Sequence, residues 1–585
     1  MWRAAVDLKM AMAQRTGVSV AMVGSGGAGV LTTGAMLLQA ACAAGWNGLL
    51  TRSVGPQIRG GEAAALLRLA THPVECLADH VDLLVGIDWV SAQRFESEIE
   101  LAPGGLIVSD PGAGPPPPAL SPSGARFIEL RLSEMTKANP AWRANMIALG
   151  AAAQLLGLDE RDLAGVIRLH FEAKGADVVA ASVAAAQAGG RAMTEATGEL
   201  RLARPAQANG KRWLITGNEA TGLGALRGGV RFAAAYPITP ASEILEWLAP
   251  NLPEVGGSLV QAEDELASIN MIIGASYGGV PALTATSGPG LSLMVEALGL
   301  ATAAEIPIVV VDVMRGGPST GIPTKSEQSD LNIAVYGMHG DAPHLVIAPQ
   351  SVTDCLLATQ WATFLAETLQ TPAIVLSDQS LGQTQAAVSR PADLAFIGER
   401  LRATDFATPY LRYALGGSGV SPMAIPGTAG GQYTADGLTH TERGIPTSSA
   451  REHRAQLDKR REKIERYAYG ALWATLEGEG DAAVITWGSL TGVAREAVAR
   501  ARADGHRVRL IAPRLLLPTR ADEMAAALDG VKRLLVVEQT HSAQFHRFLR
   551  AHYTLPQETS VFHRPGPLPI RPGEIYRQLT AGASP

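Results

Sequence analysis

The sequence predicts an α/β protein of three domains, and three observations lead to this prediction. At 585 residues, the chain is several times longer than one hydrophobic core requires. Apolar stretches of strand length alternate with helical stretches along most of it, which is typical of sheets covered by helices. The composition, with 47% hydrophobic but only 5% aromatic residues and abundant glycine, suits closely packed α/β layers and argues against disorder.

The first predicted domain covers residues 1–195. It opens with an apolar strand at 18–23, a glycine loop at 24–29 and a helix that begins near Val30. Residues 196–211, which are polar and contain proline, are predicted to be a linker. The other predicted elements of this domain are strands at 64–67, 83–87 and 106–109 and helices at 139–156 and 177–192.

The second predicted domain, residues 212–400, alternates regularly between strands and helices, as doubly wound folds do. Its first strand is predicted at 213–216, and Gly217-Asn218 stand at the head of a helix that ends near residue 228. The other predicted elements of this domain are a helix at 241–249 and strands at 231–235, 282–286, 308–313, 345–347 and 373–376.

Residues 401–466 connect the second domain to the third. Up to residue 452 this segment is rich in Gly, Pro, Thr and Ser, and it is too long for a simple loop. We expect an irregular interfacial segment followed by a charged helix at 451–467. The third domain, residues 467–585, is predicted to contain strands at 483–486, 508–511 and 534–537, helices at 492–503 and 523–528, and a C-terminal tail.

Charge and cysteine content narrow the possible classes of function. The formal net charge is -6, and the basic residues are scattered except at Lys459-Arg460-Arg461, which we expect to be a solvated helix face. Nucleic-acid binding is therefore not expected. Three widely spaced cysteines provide neither a disulfide framework nor an iron–sulfur site. Because no apolar run reaches about 20 residues and no signal pattern is found, we expect a soluble cytoplasmic protein without membrane contact.

The glycine loop of the first domain has the pattern GxGGxG, with Gly24, Gly26, Gly27 and Gly29. A dinucleotide site also needs an acidic residue about 20 positions further on, and none lies between Asp7 and Glu62, where Arg52 stands instead. The loop is therefore predicted either to hold a phosphate at a helix N-terminus or to be a tight structural turn.

The segment Tyr236-Pro237-Ile238-Thr239-Pro240 follows a predicted strand of the second domain. Its two prolines restrict the backbone and hold Thr239 on an exposed turn, where the hydroxyl can contact a ligand. An alternative is an ordinary turn in which Thr239 or Ser242 caps the next helix.

An acidic run, Glu263-Asp264-Glu265, opens a helix of small residues. Acids in the first turn of a helix are favoured by its dipole alone, so two of the three are expected to cap the helix or to be solvated. One buried member of the run is the candidate partner for a nitrogen of a cofactor ring.

Arg315 and Ser287-Gly288 follow two further predicted strands of the second domain. A guanidinium at a strand end is suited to bidentate binding of a carboxylate, although a surface arginine is the alternative. Ser287 and Gly288 open a helix whose free amides are predicted to face the same sheet edge. Open α/β sheets bind ligands at such edges.

Several segments together resemble a known family, the 2-oxoacid:ferredoxin oxidoreductases. Four features of this chain resemble the family's α subunit: the acidic run and the segments NEATGLGALRGGVRFAAAYPITP, TSGPG and MRGGPSTGIPTKSEQSDL. Two segments near the N-terminus, GSGGAGV and VGPQIRGGE, resemble the family's γ domain. The resemblance covers nearly the whole chain and is greatest to the 2-oxoglutarate type. It implies a γ-type glycine-loop domain, a doubly wound domain that binds the pyrimidine of thiamine diphosphate, and a domain like the transketolase C-terminal domain.

The resemblance also implies a site shared with a second polypeptide. Thiamine diphosphate would lie between this chain and a β subunit that supplies Mg²⁺ and a [4Fe-4S] cluster. The chain agrees in lacking a GDG motif with a spaced Asn and a cysteine cluster, and no metal ligands are assigned to it. Coenzyme A would be the cosubstrate, ferredoxin the electron acceptor, and a dimer of αβ pairs the assembly.

Family roles carried onto matching positions assign catalytic residues to this chain. Glu265 would contact the aminopyrimidine, Thr239 the cofactor and substrate, and Arg315 the substrate carboxylate. Glu265 is preferred to Glu263 because a glycine, Gly274, follows it nine residues later. In other thiamine enzymes a glycine follows the corresponding glutamate at about this interval. Further implied cofactor contacts are Tyr236, Pro237, Ile238, Ser287 and Gly288, and the proposed coenzyme A contacts are Gly24, Gly26, Gly27, Gly29 and Arg52.

Other functions remain open at this stage. Pyruvate or a mixture of 2-oxoacids is the nearest alternative substrate, because Arg315 would bind the carboxylate that all of them share. Lys325 is only a candidate for a distal carboxylate. A Rossmann-type nicotinamide or flavin oxidoreductase and a noncatalytic scaffold subunit are the alternatives of a different class.

Overall fold

The structure is a computed structural model, and it describes residues 15–55, 61–90, 92–194, 200–204, 212–406 and 409–581. Most of the predicted linker lies outside these ranges, as do residues 56–60 of the VGPQIRGGE motif. The chain forms two compact units. The N-terminal unit contains residues 1–215 and 384–392, and the main unit contains residues 216–383 and 393–585.

The N-terminal unit is built on one mixed sheet of eight strands. Seven of them are β1 Gly17–Gly24, β2 Asn47–Val54, β3 Ala63–Ala70, β4 Val81–Gly86, β5 Leu101–Ser109, β6 Arg126–Glu129 and β7 Arg212–Thr216. The order is β6-β5-β4-β1-β3-β2, then a strand from residues 385–389, then β7. The helices are α1 Val30–Ala43, α2 Leu132–Ala138, α3 Ala144–Leu156, α4 Glu160–Phe171 and α5 Ala176–Ala192.

Two predictions for this unit need correction. The strand predicted at 213–216 as the start of the second domain lies at the edge of the N-terminal sheet, because its neighbour there is a strand from residues 385–389. The helix predicted at 139–156 begins only at Ala144. Pro140 explains the delay, since proline disfavours helical geometry at the preceding residue, and Asn139 has φ -134° and ψ 86°.

The main unit contains a central sheet that is parallel except at one edge. Its strands are β8 Phe232–Ala235, β9 Ser258–Gln261, β10 Ala282–Thr286, β11 Val309–Met314, β12 Leu345–Ile347 and β13 Ala373–Asp378, with one further strand from residues 515–517. The order from that edge is residues 515–517, β12, β13, β11, β10, β8, β9. The helices are α6 Gly217–Gly228, α7 Ser242–Asn251, α8 Glu265–Tyr277, α9 Gly288–Ala303, α10 Leu331–Tyr336, α11 Asp354–Leu369 and α12 Gln379–Gln383.

The later part of the chain first adds β14 Gln385–Ser389 to the N-terminal sheet and then continues in the main unit. Within the described residues between 390 and 449 there is no helix or strand, and α13 Ala450–Glu465 follows. The remaining elements are β15 Ala474–Glu477, β16 Ala482–Ile485, α14 Leu490–Ala503, β17 Val508–Pro513, β18 Leu515–Leu517, α15 Ala521–Leu528, β19 Arg533–Glu538, α16 Gln544–His552, β20 Glu558–His563 and α17 Pro572–Thr580. Five of these strands form a separate sheet in the order β15-β17-β16-β19-β20.

The prediction that Lys459-Arg460-Arg461 is a solvated helix face is wrong for two of its three residues. Lys459 and Arg460 are buried, whereas Arg461 is exposed and pairs with Asp458 and Glu465 of the same helix. The reason is Glu305, a fully buried carboxylate at the end of α9 that Lys459 Nζ contacts at 2.5 Å. Lys463 Nζ contacts the same carboxylate at 2.8 Å. A buried charge needs such partners, so this face of α13 points inward.

Within the described ranges, no helix is both long enough and apolar enough to cross a lipid bilayer.

Candidate functional site

The candidate site lies where four neighbouring strands of the central sheet end. The strand order β9-β8-β10-β11 makes these four adjacent, and their parallel pairing puts all their carboxyl ends at one edge. Glu265 follows β9, Thr239 follows β8, Ser287 follows β10 and Arg315 follows β11. The structure thus brings four residues of the predicted site to one sheet edge, as ligand sites in α/β folds require.

The segment from Tyr236 to Pro240 forms the turn after β8. The Tyr236 side chain is exposed, Thr239 is half-buried, and Asn218 Nδ2 donates a hydrogen bond to the Pro240 carbonyl oxygen at 3.0 Å. Helix α7 has Ala241 at its N-cap and no side-chain capping bond, so the alternative in which Thr239 or Ser242 caps this helix is wrong. Within the described ranges the Thr239 hydroxyl has no hydrogen-bond partner and is therefore available to a ligand.

The three acids at the start of α8 differ in their surroundings. Glu263 is exposed, and Asp264 is the N-cap, whose Oδ1 accepts a hydrogen bond from the Ala267 amide at 2.6 Å. Glu265 is only 8% exposed, and no described residue donates a hydrogen bond to its carboxylate. Buried polar groups normally have partners, so Glu265 is the member of the run that remains available to a ligand.

Glycines shape the space around Glu265. A Cβ atom at Gly290 would lie 2.8 Å from Glu265 Oε1 and 2.1 Å from Thr286 Oγ1, so only glycine lets these groups lie against the start of α9. A Cβ atom at Gly274, two to three turns further along α8, would meet nothing within 4 Å. The face of α8 that carries Gly274 is therefore open to an incoming group.

Arg315 is 7% exposed, so the alternative of a surface arginine is wrong. Its Nη1 donates a hydrogen bond to the Thr239 carbonyl oxygen at 2.6 Å, which links the ends of β8 and β11. Its Nε is buried and has no partner among the described residues. Burial lowers the pKa of the guanidinium, and the nearby Asp330 opposes that shift. The side chain keeps hydrogen-bonding capacity for a ligand.

Sequence analysis missed two carboxyl groups beside this site, that of Asp330, which interacts with Arg315, and that of Asp312, which interacts with Asp330. Burial, reinforced by Glu327, raises the pKa of Asp330 to about 7, while Arg315 acts in the opposite direction. Burial, reinforced by Asp330, raises the pKa of Asp312 well above its ordinary value. A sequence signal existed for Asp312, since it is a lone charge inside the apolar strand VVVDVM.

Ser287 and Gly288 lie at the start of α9, as predicted. The Ser287 hydroxyl is fully buried, does not cap the helix and has no partner within the part of the chain that the structure describes. A Cβ atom at Gly288 would lie 2.6 Å from Asp330 Oδ2, so the Asp330 carboxyl group lies directly against the first residue of the helix.

An acid that the sequence pattern did not indicate, Asp88 after β4, contacts the glycine loop of the N-terminal unit. Asp88 Oδ1 accepts a hydrogen bond from the Ser25 amide at 2.9 Å, and Asp88 Oδ2 accepts one from Ser25 Oγ at 2.7 Å. The Ser25 amide is therefore already engaged and does not face a phosphate. Gly29 is the N-cap of α1 with φ 82°, and Arg52 lies half-buried in β2.

Lys325, the candidate for a distal carboxylate, lies in the loop that follows Arg315. It is half-buried, and its carbonyl oxygen accepts a hydrogen bond from the Gly316 amide at 3.0 Å. The backbone of Lys325 is thus fixed next to the residue that follows Arg315.

Three family models match the chain, each over a separate range. "Pyruvate ferredoxin/flavodoxin oxidoreductase" matches residues 19–192, "Pyruvate flavodoxin/ferredoxin oxidoreductase, thiamine diP-bdg" matches residues 223–459, and "Pyruvate:ferredoxin oxidoreductase core domain II" matches residues 480–561. The candidate site falls within the range of the second model.

Curated proteins are similar over most of the chain. The α subunit of 2-oxoacid:ferredoxin oxidoreductase 2 from Aeropyrum pernix is 31% identical, with 93% of this chain and 94% of that protein covered. Subunit KorA of 2-oxoglutarate synthase from Methanothermobacter marburgensis is 37% identical, with 63% of this chain and 98% of that protein covered.

One solved structure is similar over nearly the whole chain. It is the 2-oxoglutarate:ferredoxin oxidoreductase from Magnetococcus marinus, which was solved with 2-oxoglutarate, coenzyme A and succinyl-CoA bound. The TM-score is 0.91 at 36% sequence identity, with 97% of this chain and 100% of that chain covered.

Proposed function

Since the chain belongs to the 2-oxoacid:ferredoxin oxidoreductases, with a γ-type domain fused ahead of the α-type domains, we propose that it is the α(γ) subunit of a 2-oxoglutarate:ferredoxin oxidoreductase. The reaction interconverts 2-oxoglutarate, coenzyme A and two oxidised ferredoxins with succinyl-CoA, CO₂, a proton and two reduced ferredoxins. The choice of 2-oxoglutarate is supported by the names of the KorA relative and of the solved structure.

The observation that carries this proposal is that two nearly buried charged side chains, Glu265 and Arg315, lie at one sheet edge with hydrogen-bonding capacity to spare. Glu265 is a nearly buried carboxylate without a partner, and Arg315 is a nearly buried guanidinium with unused hydrogen-bonding capacity. Two strands, β8 and β10, separate the strands that these residues follow. One group suits the ring of a cofactor and the other the carboxylate of a 2-oxoacid.

The residues at this edge fit thiamine diphosphate. When bound, this cofactor supplies a thiazolium carbon that adds to the 2-oxo group and accepts the electron pair released with CO₂. Glu265 would accept a hydrogen bond from the aminopyrimidine ring, and the Thr239 hydroxyl would contact the cofactor and the substrate. Ser287 and Gly288 would border the cofactor from the start of α9, and Tyr236, Pro237 and Ile238 from the turn after β8.

The substrate end of the site would be formed by Arg315. Its guanidinium would hold the carboxylate next to the 2-oxo group, because a planar guanidinium binds a carboxylate through two parallel hydrogen bonds. The hydrogen bond to the Thr239 carbonyl oxygen fixes the position of Arg315 before substrate arrives. Such preorganisation reduces the entropy lost on binding.

We assign the other half of the site to a β subunit, which would hold the diphosphate, Mg²⁺ and a [4Fe-4S] cluster. The chain has three cysteines, all buried, which is too few for such a cluster. Three apolar side chains next to the site are exposed, with Leu266 at 50%, Met271 at 41% and Leu293 at 50%. They provide an apolar surface on α8 and α9 for this partner.

Coenzyme A and ferredoxin complete the proposed reaction. We propose that coenzyme A is bound with help from the glycine loop at Gly24, Gly26, Gly27 and Gly29 and from Arg52. The Asp88 carboxylate at that loop means that the amide of Ser25 does not take part. Ferredoxin would accept electrons from the β subunit, and a dimer of αβ pairs is the proposed assembly.

A pyruvate or broad-specificity enzyme is the second candidate. It is supported by the general name of the Aeropyrum pernix relative and by the fact that Arg315 would bind a carboxylate that all 2-oxoacids share. Rates of viologen reduction with 2-oxoglutarate and with pyruvate, measured on the same αβ complex, decide between the two candidates.

The test of the site is Arg315→Ala in a complex reconstituted with the β subunit. Loss of a charge-assisted pair is expected to raise KM for 2-oxoglutarate about 10- to 100-fold. Arg461→Ala, which removes an exposed arginine of α13, is the matched control and should leave KM unchanged. An unchanged KM in Arg315→Ala would contradict the assignment, and tight thiamine diphosphate binding by the isolated chain would contradict the shared site.

A further inference from the structure

Two acidic residues beside the candidate site have carboxylate oxygens without the hydrogen-bond partners that buried acids normally have. Asp312 is in β11, three residues before Arg315, and it is fully buried with no hydrogen bond to either carboxylate oxygen. Asp330 precedes α10 and lies against Gly288, and its Oδ2 is buried without a partner. These statements hold within the described ranges of the chain. Unpaired buried acids are rare, so the pair calls for a functional explanation.

The surroundings of Asp330 contain more acids than bases. Glu327 of the same loop is buried and faces it, and Asp312 of β11 faces it from the sheet. Arg315 is the cation that faces Asp330, while His541 of the C-terminal region faces Glu327. The first turn of α9 adds the positive end of a helix dipole.

Asp378 at the end of the adjacent strand β13 is also buried, but it belongs to a different network. Its Oδ1 accepts a hydrogen bond from the Leu381 amide at 2.9 Å, its Oδ2 has no partner among the described residues, and Ser326 and Ser489 lower the pKa that burial raises. Arg315 is not among the groups that perturb its pKa. Asp378 is therefore a suitable control for a substitution at Asp330.

The charge of this cluster determines what Arg315 offers to a substrate. If Asp330 is ionised, its negative charge cancels that of the guanidinium and repels an incoming carboxylate. If Asp330 holds a proton, the positive charge of Arg315 is available. Asp312 is fully buried and Asp330 is half-buried, and burial together with the charge of Asp330 raises the pKa of Asp312, so the two acids do not ionise together readily.

We propose that Asp330, supported by Asp312, is a positioning residue whose state of charge sets how strongly Arg315 binds the carboxylate of the 2-oxoacid. The proposal deepens the proposed function and rests on it. As the pH rises, Asp330 loses its proton, the net positive charge at Arg315 falls, and substrate binding weakens. The expected sign is a KM that increases with pH.

The kinetic test compares the αβ complexes of the wild type, Asp330→Asn and Asp378→Asn between pH 6 and 8.5. We expect KM for 2-oxoglutarate to rise about tenfold in the wild type, which corresponds to about 1.4 kcal/mol, with little change in kcat. In Asp330→Asn, which cannot ionise at this position, KM should stay constant. Asp378→Asn should follow the wild type. A wild-type KM that does not change with pH, or an Asp330→Asn KM that follows the wild type, would overturn the proposal.

A second measurement on the complete chain needs no turnover. Infrared difference spectra between pH 6 and 8 should contain the carbonyl band of a protonated carboxylic acid, and Asp330→Asn should lack one component of it. A wild-type spectrum from which Asp330→Asn removes nothing would overturn the proposal. Because this measurement is independent of activity, a complex that turns over no 2-oxoacid would contradict the proposed function, while the infrared result would still decide whether Asp330 carries the proton.

Discussion

At the scale of single residues, several charged groups of the candidate site lack hydrogen-bond partners in the part of the chain that the structure describes. Most buried polar groups in proteins are hydrogen-bonded, because an unpaired one costs about 1–3 kcal/mol. Within the described residues, Glu265, Asp312 and the Nε of Arg315 have no partner, and all three lie at or near one sheet edge. A ligand that supplies the missing partners would recover that free energy, so these residues are suited to binding rather than to stability alone.

The substitution Glu265→Gln tests the first of these groups. An amide keeps the shape but loses the negative charge that favours the proton-accepting form of the cofactor, so kcat should fall about 10²- to 10⁴-fold. The control is Glu263→Gln, an exposed acid of the same run, for which kcat should be unchanged. The measurement is viologen reduction with saturating 2-oxoglutarate, and equal activity in the two variants would exclude Glu265 as the aminopyrimidine partner.

At the scale of elements, the helix α13 and the irregular segment before it are fixed by buried ions. Lys463 Nζ contacts the Glu305 carboxylate at 2.8 Å and also donates to the Gln370 carbonyl oxygen at 2.8 Å. Arg412 of the irregular segment donates to the Glu305 backbone oxygen at 2.9 Å. Glu305 itself has a positive φ of 52°, which is strained for a side chain that is not glycine. The ion cluster therefore holds the segment and the end of α9 together.

Removal of one cation from this cluster should destabilise the main unit. Lys463→Met leaves Glu305 with less compensation, and breaking a buried ion pair costs about 3–5 kcal/mol. Arg461→Met, on the exposed side of the same helix, should cost less than about 0.5 kcal/mol. Calorimetry of the two variants and the wild type measures the difference as a fall in melting temperature. Equal melting temperatures in the two variants would show that the cluster is not needed for stability.

At the scale of the whole molecule, the main unit joins two sheets through its C-terminal residues. Strand β18 pairs with β12 of the central sheet, where Leu517 lies opposite Val346 and Leu515 opposite Ile347. Gln328 lies in the loop between Arg315 and α10, and its Oε1 accepts a hydrogen bond from the backbone amide of Gln539 at 3.0 Å. The C-terminal region therefore positions the loop that carries Asp330.

The exposed apolar surface next to the site gives a prediction about assembly. Leu293→Asp places a charge on this surface and should weaken association with the β subunit about tenfold or more, because apolar interface residues commonly contribute over 1 kcal/mol. The control is Leu169→Asp on α4, where the leucine is 66% exposed. Copurification and sedimentation measure the association. Equal association of the two variants would mean that the β subunit binds elsewhere.

Much of the fold was accessible from the sequence because it depends on local pattern. Strands β10 and β12 match their predicted bounds, and α1 begins at the predicted Val30. Seven strands were missed. Four of them, β6, β9, β15 and β18, have only three or four residues, which carry too little periodicity to be recognised. The longer strands β2, β14 and β20 were missed as well. The strand at 212–216 was assigned to the wrong sheet because its neighbour comes from residues 385–389.

The sequence alone determined which side chains follow which strands, and hence that Thr239, Glu265, Ser287 and Arg315 would occupy strand ends. It also determined the family, through motifs that are contiguous in the chain. Only the tertiary structure decided that Glu265 is buried and Glu263 is not, that Lys459 faces Glu305, and that Asp330 lies near Arg315. The physical reason is that burial and charge neighbours are set by segments far apart in sequence, and these meet only when the strand order β9-β8-β10-β11 is formed.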